Sequence, residues 1–130
     1  MTDFSSALSV AASGMRSQAD RLRHVSENIA NADTPGFRRK VTSFEPMRGA
    51  DMPEGAVSPG RVRLDMSTLP QVFDPAHPMA NESGHYEGSN VDLVVELADA
   101  REAQRSYEAN MRVFDQIRQM SSSLNELLRR

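Results

Sequence analysis

Apolar residues recur at intervals of seven in the first thirty residues: Leu8, Met15, Leu22 and Ile29. That spacing keeps one stripe of a helix turned toward a partner helix. Phe4, Ala11, Val25 and Ala32 form a second stripe, interrupted by polar Gln18, while Arg16, Asp20, Arg23 and Glu27 take outward positions. The pattern predicts a helix over residues 3–32. At a rise of ~1.5 Å per residue it would be roughly 45 Å long, more than a small globular core covers.

The other end repeats the device. Leu97, Tyr107, Met111 and Phe114, with Leu93 and Ala100, follow alternating steps of four and three, with Gln104 as the polar interruption. After Phe114 the stripe passes to Ile117, Met120, Leu124 and Leu127, and successive steps of three act as a local overwinding of the seam. Ser89 with Asp92 reads as a capping box, and Arg129 and Arg130 suit the negative end of the helix dipole. Two seams on one short chain most simply pair with each other. The predicted fold is mainly α: long N- and C-terminal helices packed as a coiled-coil-like pair.

All seven prolines fall between Pro35 and Pro78, and six of seven glycines between Gly36 and Gly88. Proline breaks helices and glycine weakens them. The chain therefore divides into an N-terminal helix segment 1–32, an extended middle 33–90 and a C-terminal helix segment 91–130. Alternation at Val62, Leu64 and Met66 predicts a short strand within residues 61–73, as part of a small β-hairpin. Residues 47–60 read as a flexible loop.

Composition sharpens this. With no Trp, two Tyr, five Phe and 38% apolar residues, the chain can make helix seams more easily than a thick interior. A net charge of −3 gives no reason to seek nucleic acid or an acidic membrane. The absence of Cys excludes disulfides and zinc–thiolate sites, and residues 1–10 lack the pattern of a cleaved signal peptide.

Little in the chain suggests chemistry. His77 and His85, near Asp74 and Glu82, lack metal-ligand spacing; His24 is expected on a helix surface, and Ser121 to Ser123 as a small exposed face. There is no phosphate-binding glycine loop. The expectation is no catalytic site, no metal, no cofactor and no small-molecule substrate. The basic run Arg38-Arg39-Lys40 reads as a solvated or interface cluster rather than a nucleic-acid site.

The sharpest feature is Asn28-Ile29-Ala30-Asn31-Ala32-Asp33-Thr34-Pro35-Gly36-Phe37-Arg38-Arg39. Pro35-Gly36 fits the centre of a type II turn, and Asn28, Asn31 and Asp33 can satisfy backbone groups left open as the helix ends. This segment resembles the N-terminal signature of the flagellar rod and hook family, an Asn-x-Ala-Asn-x-x-Thr-Pro-Gly-aromatic-Arg pattern at the end of the first helix, which Asn28, Ala30, Asn31, Thr34, Pro35, Gly36, Phe37 and Arg38 match. Arg105-Ser106-Tyr107-Glu108-Ala109-Asn110-Met111 is similar to the family's C-terminal Arg-x-Tyr-x-Ala-Asn motif. The stretch from Phe73 through Asp74, Pro75, His77 and Pro78 resembles one proximal-rod subunit type. A Ser89 where that type usually carries Pro departs from the pattern, and Asn90-Val91-Asp92-Leu93 also resembles a sister proximal-rod subunit.

The resemblance implies a structural subunit of the basal-body proximal rod that carries motor torque to the distal rod and hook. Implied partners are other rod proteins, the junction protein between rod and membrane ring, further copies of the chain, and the flagellar type III export apparatus. It also implies a periplasm-spanning location reached without a cleaved signal peptide. The seam residues, Asn110 among them, would then bury against the chain's own partner helix and against neighbouring subunits. Two alternatives stand beside it: the sister subunit, and a cytoplasmic coiled-coil adaptor.

Overall fold

The computed structural model describes residues 2–130. Helix α1 spans Thr2–Ala30, and helix α2 spans Leu93–Arg129. Between them lie six short strands: β1 (Lys40–Val41), β2 (Phe44–Pro46), β3 (Val57–Pro59), β4 (Arg63–Leu64), β5 (Gln71–Phe73) and β6 (His85–Glu87). They form three separate two-stranded antiparallel pairs, β1 with β4, β2 with β3, and β5 with β6. The architecture is mainly helical, but the middle departs from the single hairpin expected.

Residues 61–73 do not form one strand. β4 ends at Leu64, Asp65 turns the chain by accepting the Ser67 N–H at 2.9 Å, and β5 resumes only after Pro70. An Asx turn and a proline outweigh the alternation at Val62, Leu64 and Met66. The stretch 47–60, expected as a flexible loop, carries β3, and its Ala56 is buried. The Val57 N–H donates to Ser13 Oγ at 3.1 Å, tying this segment to α1.

The helices run antiparallel side by side. Asn28 meets Glu96, Arg21 meets Glu102, and Gly14 meets Asn110, so positions rise along one helix as they fall along the other. α1 buries Ala11, Ser13, Ser17, Gln18, His24, Val25 and Asn28; α2 buries Glu96 and Ala103. The seam is thus made of small and polar side chains rather than large apolar ones, which lets the backbones approach closely.

Helix ends follow local chemistry. The Asp92 carboxylate accepts from Val94 N at 3.0 Å and caps α2 alone. Ser89, expected to share that cap, instead donates its hydroxyl to the Ala32 carbonyl. His24 corrects another expectation: it is buried, because β1 packs on α1 and closes over it.

Candidate assembly interface

At the end of α1, Thr34, Pro35, Gly36 and Phe37 make the turn. The Phe37 N–H bonds the Thr34 carbonyl at 3.2 Å, and Gly36 takes φ +74°, the positive φ that the third position of a type II turn requires. The Asn31 side chain donates back to Glu27 O at 2.8 Å and accepts from Thr34 Oγ1, closing the frayed end. Asn28 does something else. Its Oδ1 accepts from Lys40 N at 2.8 Å and its Nδ2 donates to Lys40 O at 2.9 Å, so one side chain pairs with a strand backbone as a neighbouring strand would.

The same Nδ2 reaches Glu96 Oε2 at 3.3 Å. Glu96, with 0% of its surface exposed, would be costly as an unpaired buried carboxylate. Arg39 Nε donates to its other oxygen at 2.6 Å, while the Arg39 guanidinium also lies 3.4 Å from Asp99 and 3.7 Å from Asp65. Lys40 pairs with Glu27 at 2.7 Å, and Arg38 donates to the Asp65 and Ser67 carbonyls. The basic run is therefore spent inside the molecule rather than on solvent. Lys40 holds the Glu27 carboxyl below its ordinary value; the Ser67 backbone N–H, then its hydroxyl, hold Asp65 down, with Arg39 adding to them.

The seam positions fall into two groups. Leu8, Met15, Leu22 and Ile29 on α1 are half-buried beside the helix contact, as are Tyr107, Asn110 and Phe114 on α2. Leu97 and Met111 lie outside the intramolecular seam and are exposed, Leu97 at 55%, while Leu124, more exposed than the inner residues, lines a groove with Phe4 of α1. Glu96, Ala103, Asn110 and Ile117 recur every seven residues along the inner face instead. At these positions the inner stripe is displaced by one residue from the apolar one, because Glu96 brings Arg39 and Asn28 as polar partners and Asn110 fits over Gly14. After Phe114, Ile117 and Ser121 keep the inner spacing, while Met120, Leu124 and Leu127 are exposed and line that groove with Phe4 of α1.

Asp74, Pro75, His77 and Pro78 build the tip of the β5–β6 hairpin. Asp74 Oδ1 accepts from Ala76 N, and its carbonyl from His77 N. His77 Nδ1 accepts from Met79 N at 3.1 Å, and its ring stacks on Tyr86 with centroids 3.9 Å apart. These residues hold a loop shape that presents Phe73 and Met79 outward. Among the described residues no His, Asp and Glu group has the arrangement of a metal site, and no helix is long and apolar enough to cross a membrane.

Comparison with known proteins supplies the family. Residues 8–38 match the family model for the flagella basal body rod protein. Residues 82–127 match the flagellar basal body rod FlgEFG protein C-terminal model. The flagellar basal-body rod protein FlgC of Agrobacterium fabrum is 38% identical, covering 99% of this chain and 98% of its own. This chain belongs to the flagellar basal-body rod proteins of the FlgC type. FlgC of Aquifex aeolicus is 34% identical over 88% of this chain and 89% of its own, and that of Salmonella typhimurium 29% over 85% and 87%.

Membership makes the chain a structural subunit of the basal-body rod. The rod-family turn is the α1 terminus, and the C-terminal match spans β6 and nearly all of α2. Of the residues that tie these two regions together, Arg39 and Asn90 stood inside motif segments that gave no hint of this contact, and Glu96 carried no motif. Its one signal was its recurrence at seven-residue spacing with Ala103, Asn110 and Ile117.

Proposed function

We propose that this chain is a proximal-rod subunit whose helix pair stands in the rod wall and passes motor torque toward the distal rod and hook. The observation that carries this is the outer face of α2. Leu93, Val94, Leu97 and Met111 are exposed there, Val94 at 76%, although the chain has an inner seam already filled. Large apolar groups left outside a long helix suit burial against neighbouring chains. The partners are further rod proteins, other copies of this chain and the junction protein between rod and membrane ring.

In this reading the helix pair behaves as a coiled-coil-like unit, with residues 1–32 and 91–130 as rod segments and residues 33–90 as the outer element. Torque passes through many noncovalent contacts, so the role is mechanical and no side chain is assigned bond-making chemistry. The His77 hairpin distinguishes this subunit from its sister. Delivery by the flagellar type III export apparatus brings the chain to the periplasm-spanning rod.

The test is genetic and structural. In a strain lacking this chain, basal bodies are expected to stop short of the distal rod, and cells to be non-motile until the wild-type chain is supplied. Complete rods and normal swimming in its absence contradict the proposal.

A further inference from the structure

Slide α2 along α1 by one heptad and the inner seam hardly objects. Arg21 would come level with Glu96, Gly14 with Ala103, and Ala11 with Ser106. Each is an acceptable pairing of small or oppositely charged groups. The buried apolar residues of the helix pair, Ala11, Val25 and Ala103, are too small to interlock in one register only. In such seams a buried polar contact sets alignment.

Apart from the exposed Arg21–Glu102 pair, the contact that would be lost is the one around Glu96. Asn28 is tied to both backbone groups of Lys40, so β1 and the Arg39 side chain travel with α1. Glu96 and Asp99 travel with α2. Arg39 Nε to Glu96 at 2.6 Å, Arg39 to Asp99 at 3.4 Å and Asn28 to Glu96 at 3.3 Å form only when the two helices sit as they do. A slipped pair leaves Arg39 without its buried partner, while Glu96 takes Arg21 instead.

We infer that Glu96 is the positioning residue that selects one register of the α1–α2 pair, acting through Arg39 and Asn28. The bonds at the foot of α2, Ser89 to Ala32 and Arg39 N to Asn90 Oδ1, brace the same end but involve backbone groups that a loop can carry along. A fixed register matters for the rod because it decides which outer residues of α2 stand level with which residues of α1. The inference concerns the single chain and does not depend on the proximal-rod assignment.

The experiment is a distance measurement between spin labels at Ser26 and Arg112, both exposed, on the full chain. Ser26 stands level with about residue 98, so the labels are offset along the axis by ~21 Å, and a heptad slip raises this to ~31 Å. Wild type and Glu96→Gln, which keeps the hydrogen-bonding shape, are expected to give one short distance. Glu96→Leu and Arg39→Ala are expected to add a second, longer population, largest in Arg39→Ala because Arg21 can replace the lost partner.

A single wild-type distance in both variants, with only a lower melting temperature, overturns the inference: Glu96 would then stabilise without selecting. Should Glu96→Leu lose its helical signal, Arg39→Ala decides alone. An unchanged distance there overturns the inference too.

Discussion

Gly14 and Asn110 meet across the helix pair: a Cβ added at position 14 would lie 2.9 Å from Asn110 Nδ2. Glycine costs a helix interior roughly 0.5–1 kcal/mol relative to alanine, and here it leaves room for the Asn110 side chain to sit against α1. Gly14→Val is expected to destabilise the chain by about 1–3 kcal/mol in urea unfolding, through overpacking. Adding Asn110→Ala is expected to recover part of that loss. Strict additivity of the two changes would show that the contact does not exist.

The turn makes a different demand. Gly36 has φ +74° and open space around its missing Cβ, so its requirement is conformational and not steric. Gly36→Val is expected to lower stability by about 1–2 kcal/mol and to misdirect the chain after α1. Gly36→Asn is expected to cost less, because asparagine tolerates left-handed backbone. Equal melting temperatures for the glycine, asparagine and valine forms would remove the turn assignment.

These two glycines show how much was legible beforehand. Gly36 stood beside Pro35 at a helix end, and that local chemistry predicted its turn. Gly14 gave no sign, since its partner lies ninety-six positions away and close approach is a tertiary fact. The helices were readable from seven-residue spacing, yet the spacing of large apolar residues pointed one position away from the inner face of α2. Glu96 is the reason. Pattern reading sends a glutamate to solvent, whereas here Arg39 and Asn28 follow it inside. His24 misled in the same way, as strand β1 covers it from a part of the chain whose pairings no local pattern announces. The hairpin motif was visible as residues but not as a loop held by a His77–Tyr86 stack.

Acid should loosen the contacts around the middle segment. Lys40 depresses Glu27 below its ordinary 4.5, and Ser67 depresses Asp65 below its ordinary 3.8. A carboxyl whose folded pKa is lowered contributes stability that is fully present above its unfolded value and lost as pH falls through the folded one. Stability is therefore expected to be flat in these groups above about pH 5 and to decline below pH 4.5. Melting curves for Lys40→Met and Asp65→Asn should show a shallower decline than wild type. An identical acid limb in all three proteins would contradict the assignment of these pairs.

Inner and outer positions of the helices should separate fold from assembly. Phe114→Asp and Leu22→Asp put a charge into half-buried sites beside the seam and are expected to reduce both helicity and motility. Leu97→Asp changes an exposed site, so the isolated chain should keep its melting temperature within roughly 0.5 kcal/mol of wild-type stability, while rod assembly fails. Normal swimming with Leu97→Asp would show that the outer face of α2 is not an interface.

The most direct test is a density map of the basal body, at side-chain resolution, from cells that carry this chain. The expected result is density in the wall of the proximal rod for α1 and α2 side by side. Val94 and Leu97 should be covered by a neighbouring chain, and Glu96 should face Arg39. A rod whose wall is complete without this helix pair, or one in which the outer face of α2 stays open to solvent, would contradict the account.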